Sequence, residues 1–373
     1  MFDLPQPTEG AFCGQFFSDL SVRPGTDETL LTTVVARAVD SDVGDRDHPG
    51  QTGSLSRVAL VKPALTSGAL QFATPSLENV YEASWANDGQ FLVATRGLPL
   101  HLYDMKGHSV ASFSAYDGWS DEFEQAYATA SSSTTVYAGS TNAVYAWDIR
   151  RPGKETVACM YPQWDDGYRE SGLQHTEASA RRRRKHDIIS SVAVDLNSQL
   201  VAAGAYSGRV ALFDSRTKVQ EMFIDGLSNA VTQVAFHEGT CSLFVGCRGE
   251  GDVYAFDMRR GMDQGICVYE LRRGLDTRSM QRVRFALSGR HVASGVGGGS
   301  GSAGESDGIS FGFKVWDVRD GRELGDGLSA RAVTQPGAAI VNACCFGETG
   351  ETLAAASGSL TSRDSRITLY NVV

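Results

Sequence analysis

The sequence predicts an all-β fold, a seven-bladed β-propeller of the WD40 type, on three observations. An aromatic-Asp pair closes one segment after another, the residues before each closure alternate apolar with polar, and no long helical pattern competes. Repeats of roughly 40 to 45 residues that end in this way are the sequence signature of propeller blades.

The closures come in chain order. RVALVKP (Arg57 to Pro63) is a degenerate first copy and LHLYDM (Leu100 to Met105) a weak second. VYAWDIR (Val144 to Arg150), VALFDSR (Val210 to Arg216), VYAFDMR (Val253 to Arg259) and KVWDVRDG (Lys314 to Gly321) share one grammar, and ITLYNVV (Ile367 to Val373) is a weaker last copy. Upstream of each lies strand, turn, strand, as in SSVAVDLNSQLVAAGAYSGRVALFD (Ser190 to Asp214). Period-two alternation gives each strand one face for a neighbouring sheet. Small residues ahead of the turns (Gly204, Gly246, Ser294-Gly295, Ser357-Gly358) allow close approach near an inner channel. The last closure leaves its blade without an outer strand, and Gly10 to Leu20 is the candidate to supply it, closing the ring and removing sheet edges.

The reading is one domain over residues 1–373, interrupted by insertions at 40–53, 164–185 and 295–308. The first is acidic and glycine-rich, the second polar and ending in Arg181, Arg182, Arg183, Arg184 and Lys185, and the third is low-complexity. Hydrophobic residues at 42% and charged residues at 21% suit a globular chain with ample core. No apolar run approaches the length needed to span a bilayer, and Met1 to Gly10 shows no secretory pattern, so an intracellular protein is expected, without a membrane partner. Seven cysteines without a C-x-x-C pair read as reduced, mostly buried thiols.

Chemical motifs are weak. Gly299, Gly301 and Gly304 satisfy G-x-G-x-x-G, and Gly304 to Gly308 satisfies G-x-S-x-G, but each needs a following helix and the next segment reads as a strand. Asp40, Asp42, Asp45 and Asp47 lack the register of a calcium loop, because Gly44 falls where an oxygen ligand belongs. The seven histidines show no zinc spacing. No catalytic residues, metal, cofactor or small-molecule substrate are expected, and a scaffold rather than an enzyme is.

Candidate binding residues are basic and aromatic. A net charge of −10 restricts any nucleic-acid site to a local patch. The run Arg181 to Lys185 reads as a solvated loop, an import signal or an RNA contact. Arginines after the closures (Arg150 and Arg151, Arg216, Arg259 and Arg260) and Arg272 and Arg273 would form a cationic arc on one rim, or else be solvated turn residues. Tyr116, Trp119 or Tyr168 are available for stacking on unpaired bases, and Arg282 completes the candidate set.

Several segments, taken in order, resemble one family. FSAYDGWSDEF (Phe113 to Phe123), Arg151-Pro152-Gly153, IISSVAV (Ile188 to Val194), VTQVAFH (Val231 to His237), FDMRR (Phe256 to Arg260) and QRVRFALSGRHVASG (Gln281 to Gly295) are similar to segments of the telomerase Cajal body proteins. The match covers about residues 80 to 373. It implies a WD-repeat propeller that binds H/ACA-type small RNAs, namely small Cajal-body RNAs and telomerase RNA, through a short loop box. It also implies partners among the H/ACA ribonucleoprotein proteins, delivery of the particle to nuclear bodies and a nuclear location at Cajal bodies or the nucleolus, with some cytoplasmic protein. A monomer is expected. The chain departs from the family in lacking a long N-terminal extension, in carrying the pentabasic insertion and in ending at the last blade. A protein-only scaffold of another assembly is the alternative.

Overall fold

The computed structural model describes residues 2–3, 12–23, 29–38, 54–61, 70–75, 77–87, 89–116, 122–164, 187–227, 229–248, 252–259, 266–273, 282–296, 312–324, 341–347, 350, 352–357 and 366–371. Within them, runs rich in valine, alanine, leucine and phenylalanine form short antiparallel strands. These make seven sheets of three to five strands and one separate two-stranded ribbon.

The third sheet shows the common plan. Ala128–Ser131, Thr135–Gly139, Val144–Asp148 and Ala158–Met160 follow one another outward, each paired to the last. Register places Ala128, Gly139 and Val144 at one end of the sheet, and Ser131, Val136 and Asp148 toward the other. The fourth and fifth sheets repeat the plan from Ile189–Asp195 and Val231–His237.

The ring closes through its inner strands. The first strand of each sheet touches the first strand of the next, and Phe12–Val22 lies between the first strands of the second and last sheets. Seven apolar clusters fill the spaces between consecutive sheets. One of them joins Val201, Ala203 and Phe213 to Tyr137, Ala146 and Met160. Another joins Leu20, Leu30 and Val34 to Ala343 and Ala356 across the closure. The side chains facing each neighbour are thereby removed from water, and each fully buried Val, Leu or Phe contributes about 1.5–3 kcal/mol.

That packing corrects the closing strand. Residues 12–22 do not complete the last sheet but form the inner strand of the first, with Leu20 opposite Thr32. Leu20 is needed in the cluster between first and last sheets, and an outer edge would leave it in water. Phe2–Asp3 is the segment that pairs with the last strand, Phe2 opposite Ile367 and Asp3 opposite Arg366.

The recurring aspartate has a local role. Oδ1 of Asp104, Asp148, Asp214, Asp257 and Asp317 accepts the backbone N–H two residues on, at 2.7–2.9 Å. This side-chain turn ends the third strand and starts the return, which is why Asp recurs at the position. Two glycines answer to close approach. A Cβ on Gly204 would stand 2.4 Å from Val231 Cγ1, and one on Gly295 would stand 2.1 Å from the Val341 carbonyl oxygen. Both sit where a second strand meets the inner strand of the next sheet.

Of the insertions, residues 40–53, 165–185 and 297–308 lie outside the described residues, so Arg181 to Lys185 and Tyr168 do as well. Gly295 and Val296 still belong to the strand His291–Val296. No helix is long and apolar enough to cross a membrane among the described residues. The cysteines are less uniformly buried than the sequence suggests: Cys247, Cys344 and Cys345 are buried, whereas Cys241 and Cys267 are exposed.

Candidate functional site

The expected cationic arc divides into three kinds of arginine. Arg216 and Arg259 fold back on the aspartates of their own turns, with Arg216 Nη2 2.9 Å from Asp214 Oδ2 and Arg259 Nε 3.0 Å from Asp257 Oδ1. Their charge is therefore met locally. Arg273 is not on a rim at all: it is 2% exposed and donates to the carbonyls of Val283 and Cys247 and to Ser294 Oγ. Burial lowers its pKa to about 10, which still leaves it charged at neutral pH. Arg150 and Arg151 are exposed and form no ion pair among the described residues. Arg260 and Trp119 lie outside the described residues.

Arg150 and Arg151 lead into a patch shared with Tyr116. The segment Arg151-Pro152-Gly153 lies against the end of the strand Ser109–Phe113. Ser114 N donates to the Gly153 carbonyl at 3.0 Å and Gly153 N donates to the Ser112 carbonyl at 2.9 Å. Gly153 holds φ at +126°, a conformation open to glycine and costly for other residues. The Lys154 ammonium is thereby set 4.5 Å from the ring centroid of Tyr116, which is 40% exposed. Tyr116 itself sits on the two-stranded ribbon, opposite Phe123. Three of the candidate residues are thus gathered by backbone hydrogen bonds, and sequence reasoning had missed Lys154.

Arg282 belongs to the channel. Its Nε and Nη2 donate to the Thr232 carbonyl at 3.0 and 2.7 Å, Nη2 also to Ser190 O at 3.2 Å, and Nη1 to Tyr81 O at 3.2 Å. One guanidinium thereby ties the inner strands of the second, fourth and fifth sheets. Two residues on, Arg284 Nη2 donates to Glu82 Oε1 at 2.6 Å, and its Nε lies 3.3 Å from Asp19 Oδ1. Burial opposes the charge of Arg284, but Asp19 and Glu82 outweigh it and hold its pKa up. Asp19 is raised, first by burial and further by Glu82, against the lowering effect of Arg284. Burial and the neighbouring Arg284 bring Arg282 down to about 10.

Above this cluster a cavity of about 520 Å³ opens, with Arg282, Arg284 and Asp19 in its lining. Tyr81, Tyr127, Tyr206 and Arg248 line it too. The Tyr81 and Tyr127 rings are 5.2 Å apart at 56°, and Arg248 stands 5.8 Å from the ring centroid of Tyr206, which is 44% exposed. The mouth lies where inner strands begin and second strands end, as at Tyr127, Tyr206 and Arg248. Register puts Arg150, Arg216 and Arg259, which follow third strands, at the opposite ends of their sheets. None of Asp19, Glu82, Arg248 and Arg284 stood out in the sequence. The available signal was Arg282-Val283-Arg284, two charges at period two leading into an inner strand.

Among the described residues, no group of three His, Cys, Asp or Glu side chains is gathered as for a metal ion. No family profile matches the chain, and no curated protein is found similar to it. Among solved structures it is similar to the β-propeller domain of Cps50 (Swd1) from Myceliophteria thermophila. That likeness has a TM-score of 0.61 and 14% identity, and covers 100% of this chain and 99% of that one. At such identity the likeness is one of fold, and it agrees with the ring of sheets and the repeated aromatic-Asp turns. The chain is an all-β propeller.

Proposed function

We propose that the chain is a non-catalytic scaffold that binds H/ACA-type small RNAs, small Cajal-body RNAs and telomerase RNA among them, and directs the ribonucleoprotein to nuclear bodies. Its seven sheets are then the seven blades of the propeller. The observation that carries the reading is the union of FSAY (Phe113 to Tyr116) with Arg151-Pro152-Gly153, both parts of the family resemblance. They are distant in sequence but hydrogen-bonded to one another through Ser112, Ser114 and Gly153. Between them they present an exposed aromatic face under a lysine, next in sequence to two exposed arginines that form no ion pair among the described residues. An aromatic ring for an unpaired base, with cations for the adjoining phosphates, is the composition that single-stranded RNA sites use.

The test is fluorescence anisotropy of a labelled H/ACA hairpin over a range of salt concentrations. Replacing Lys154 by alanine removes one phosphate contact and lowers the salt slope by about 0.7–0.9. Tyr116→Ala weakens binding by about 1–3 kcal/mol through lost stacking. Binding indifferent to salt and to both changes rejects the reading.

A protein-only scaffold is the second reading, favoured by the self-neutralised Arg216 and Arg259 and by the net charge of −10. Stable protein partners after ribonuclease treatment, with no enriched RNA, would select it.

A further inference from the structure

We propose, on the RNA reading given above, that Lys154 is a lid on the stacking site. In the free protein its ammonium caps the face of Tyr116 that an unpaired base takes. Binding exchanges the two: the base goes onto the ring and the ammonium moves to the adjoining phosphate. The Lys154 Nζ stands 4.5 Å from the centroid of the Tyr116 ring, in the space that a base stacked on that face would fill. Base and ammonium therefore exclude one another there.

The two sides of this contact are not equally fixed. Tyr116 is paired with Phe123 on the ribbon formed by Ala115–Tyr116 and Phe123–Glu124. The backbone next to Lys154 is fixed too, because Gly153 N donates to the Ser112 carbonyl at 2.9 Å and the Gly153 carbonyl accepts from Ser114 N at 3.0 Å. From its Cα outward Lys154 is held by little. It is exposed, and its Nζ makes no hydrogen bond or ion pair among the described residues besides its contact with the ring. The flexible lysine stem lets the charge swing about a fixed Cα.

Magnitudes decide the direction of the exchange. An exposed contact between a cation and an aromatic ring is worth about two- to fivefold in an equilibrium constant. A base stacked on an aromatic side chain is worth about five- to 150-fold. The base therefore displaces the ammonium, and a ligand that also carries a phosphate receives the displaced charge in a charge-assisted contact. A neutral aromatic group offers the ammonium no new partner and loses the cation–π contact outright. The lid thus favours a nucleotide, which supplies base and phosphate together, over the aromatic side chain of a protein.

The experiment measures, by fluorescence anisotropy on the full chain, the affinity of a labelled single-stranded oligouridylate and of its uncharged methylphosphonate analogue. The proteins compared are the unaltered chain, Lys154→Ala, and the Lys154→Ala, Tyr116→Ala double variant. Lys154 is exposed, so its truncation leaves the melting temperature as it was. The neutral analogue is expected to bind Lys154→Ala about two- to fivefold more tightly than the unaltered chain, since the cap is gone and no phosphate contact is lost. That gain disappears in the double variant. The phosphodiester strand binds Lys154→Ala more weakly at low salt and with a shallower salt slope, so the two salt lines cross as the phosphate contact is screened. A neutral analogue that binds Lys154→Ala no more tightly than the unaltered chain, undetected binding to both included, overturns the lid. So does a gain that persists in the double variant, because the ring is then not what was uncovered. If the phosphodiester strand still depends on Tyr116 and Lys154 in either case, the RNA reading stands without the lid. Indifference of that strand to salt and to both residues rejects the RNA reading and the lid with it.

Discussion

Arg284 reaches across the channel to Glu82, 202 residues earlier in the chain, with Nη2 2.6 Å from Oε1. The pair sits beside Asp19 and couples the inner strands of the first, second and sixth sheets. Charge removed from water here is compensated only by its partners, so each member depends on the others.

Replacing Arg284 by methionine leaves Glu82 and Asp19 as buried carboxylates that have lost their nearer cation, with Arg282 3.9 Å from Glu82. The expected loss is about 3–5 kcal/mol, read as a lower urea midpoint. Glu82→Gln also destabilises, and the double variant loses less than the sum of the two, because the same interaction is removed twice.

Gly204→Ala places a methyl group 2.4 Å from Val231 Cγ1, in the seam between the fourth and fifth sheets. Overpacking of this kind costs about 1–3 kcal/mol. Thermal unfolding of the variant should start lower, whereas Gly289→Ala should not share this cost, since nothing lies within 4 Å of a Cβ there.

Trp147 separates framework from contact. It is 2% exposed, with its ring 5.9 Å from Phe113 and 6.1 Å from Tyr145. Trp147→Ala should cost about 3–5 kcal/mol in stability. By contrast, Arg150→Ala should leave the melting temperature unchanged and alter only binding.

Thiol chemistry follows from burial. Desolvation pushes the Cys247 and Cys344 thiols up to about 12. A raised thiol pKa means less thiolate, so at pH 8 about one molecule in 10⁴ carries it at either site, against roughly a quarter in an unfolded chain. Mass spectrometry after iodoacetamide treatment at pH 8 should find Cys247 and Cys344 unmodified in the folded protein and alkylated in urea. The exposed Cys241 should be modified in both.

The propeller was legible because its signals are local. The alternation in Ser190 to Asp214 and the turn made by Asp214 need no distant partner, and both appear as read. The strand at residues 12–22 shows where local signals stop. Its alternation suits an inner or an outer position equally, and only the cluster of Leu20 with Ala343 and Ala356 decides. Arg273 was read as a rim or solvated turn residue, and Arg282 as an RNA contact, for a similar reason. Carbonyls from strands 50, 92 and 201 residues away bind Arg282, and no local pattern announces them. The exposure of Arg150 and Arg151 was legible because closure positions face solvent by construction, whereas the place of Lys154 beside Tyr116 required the hydrogen-bonded approach of Gly153 to Ser112.

The most direct test is to crosslink the tagged protein to RNA in cells and sequence what is bound, alongside the Tyr116→Ala, Lys154→Ala double variant. The prediction is enrichment of H/ACA-type small RNAs, with reads centred on hairpin loops, lost in the variant although it folds normally. A background-level RNA signal beside stable protein partners, or RNA binding untouched by the double variant, would contradict it.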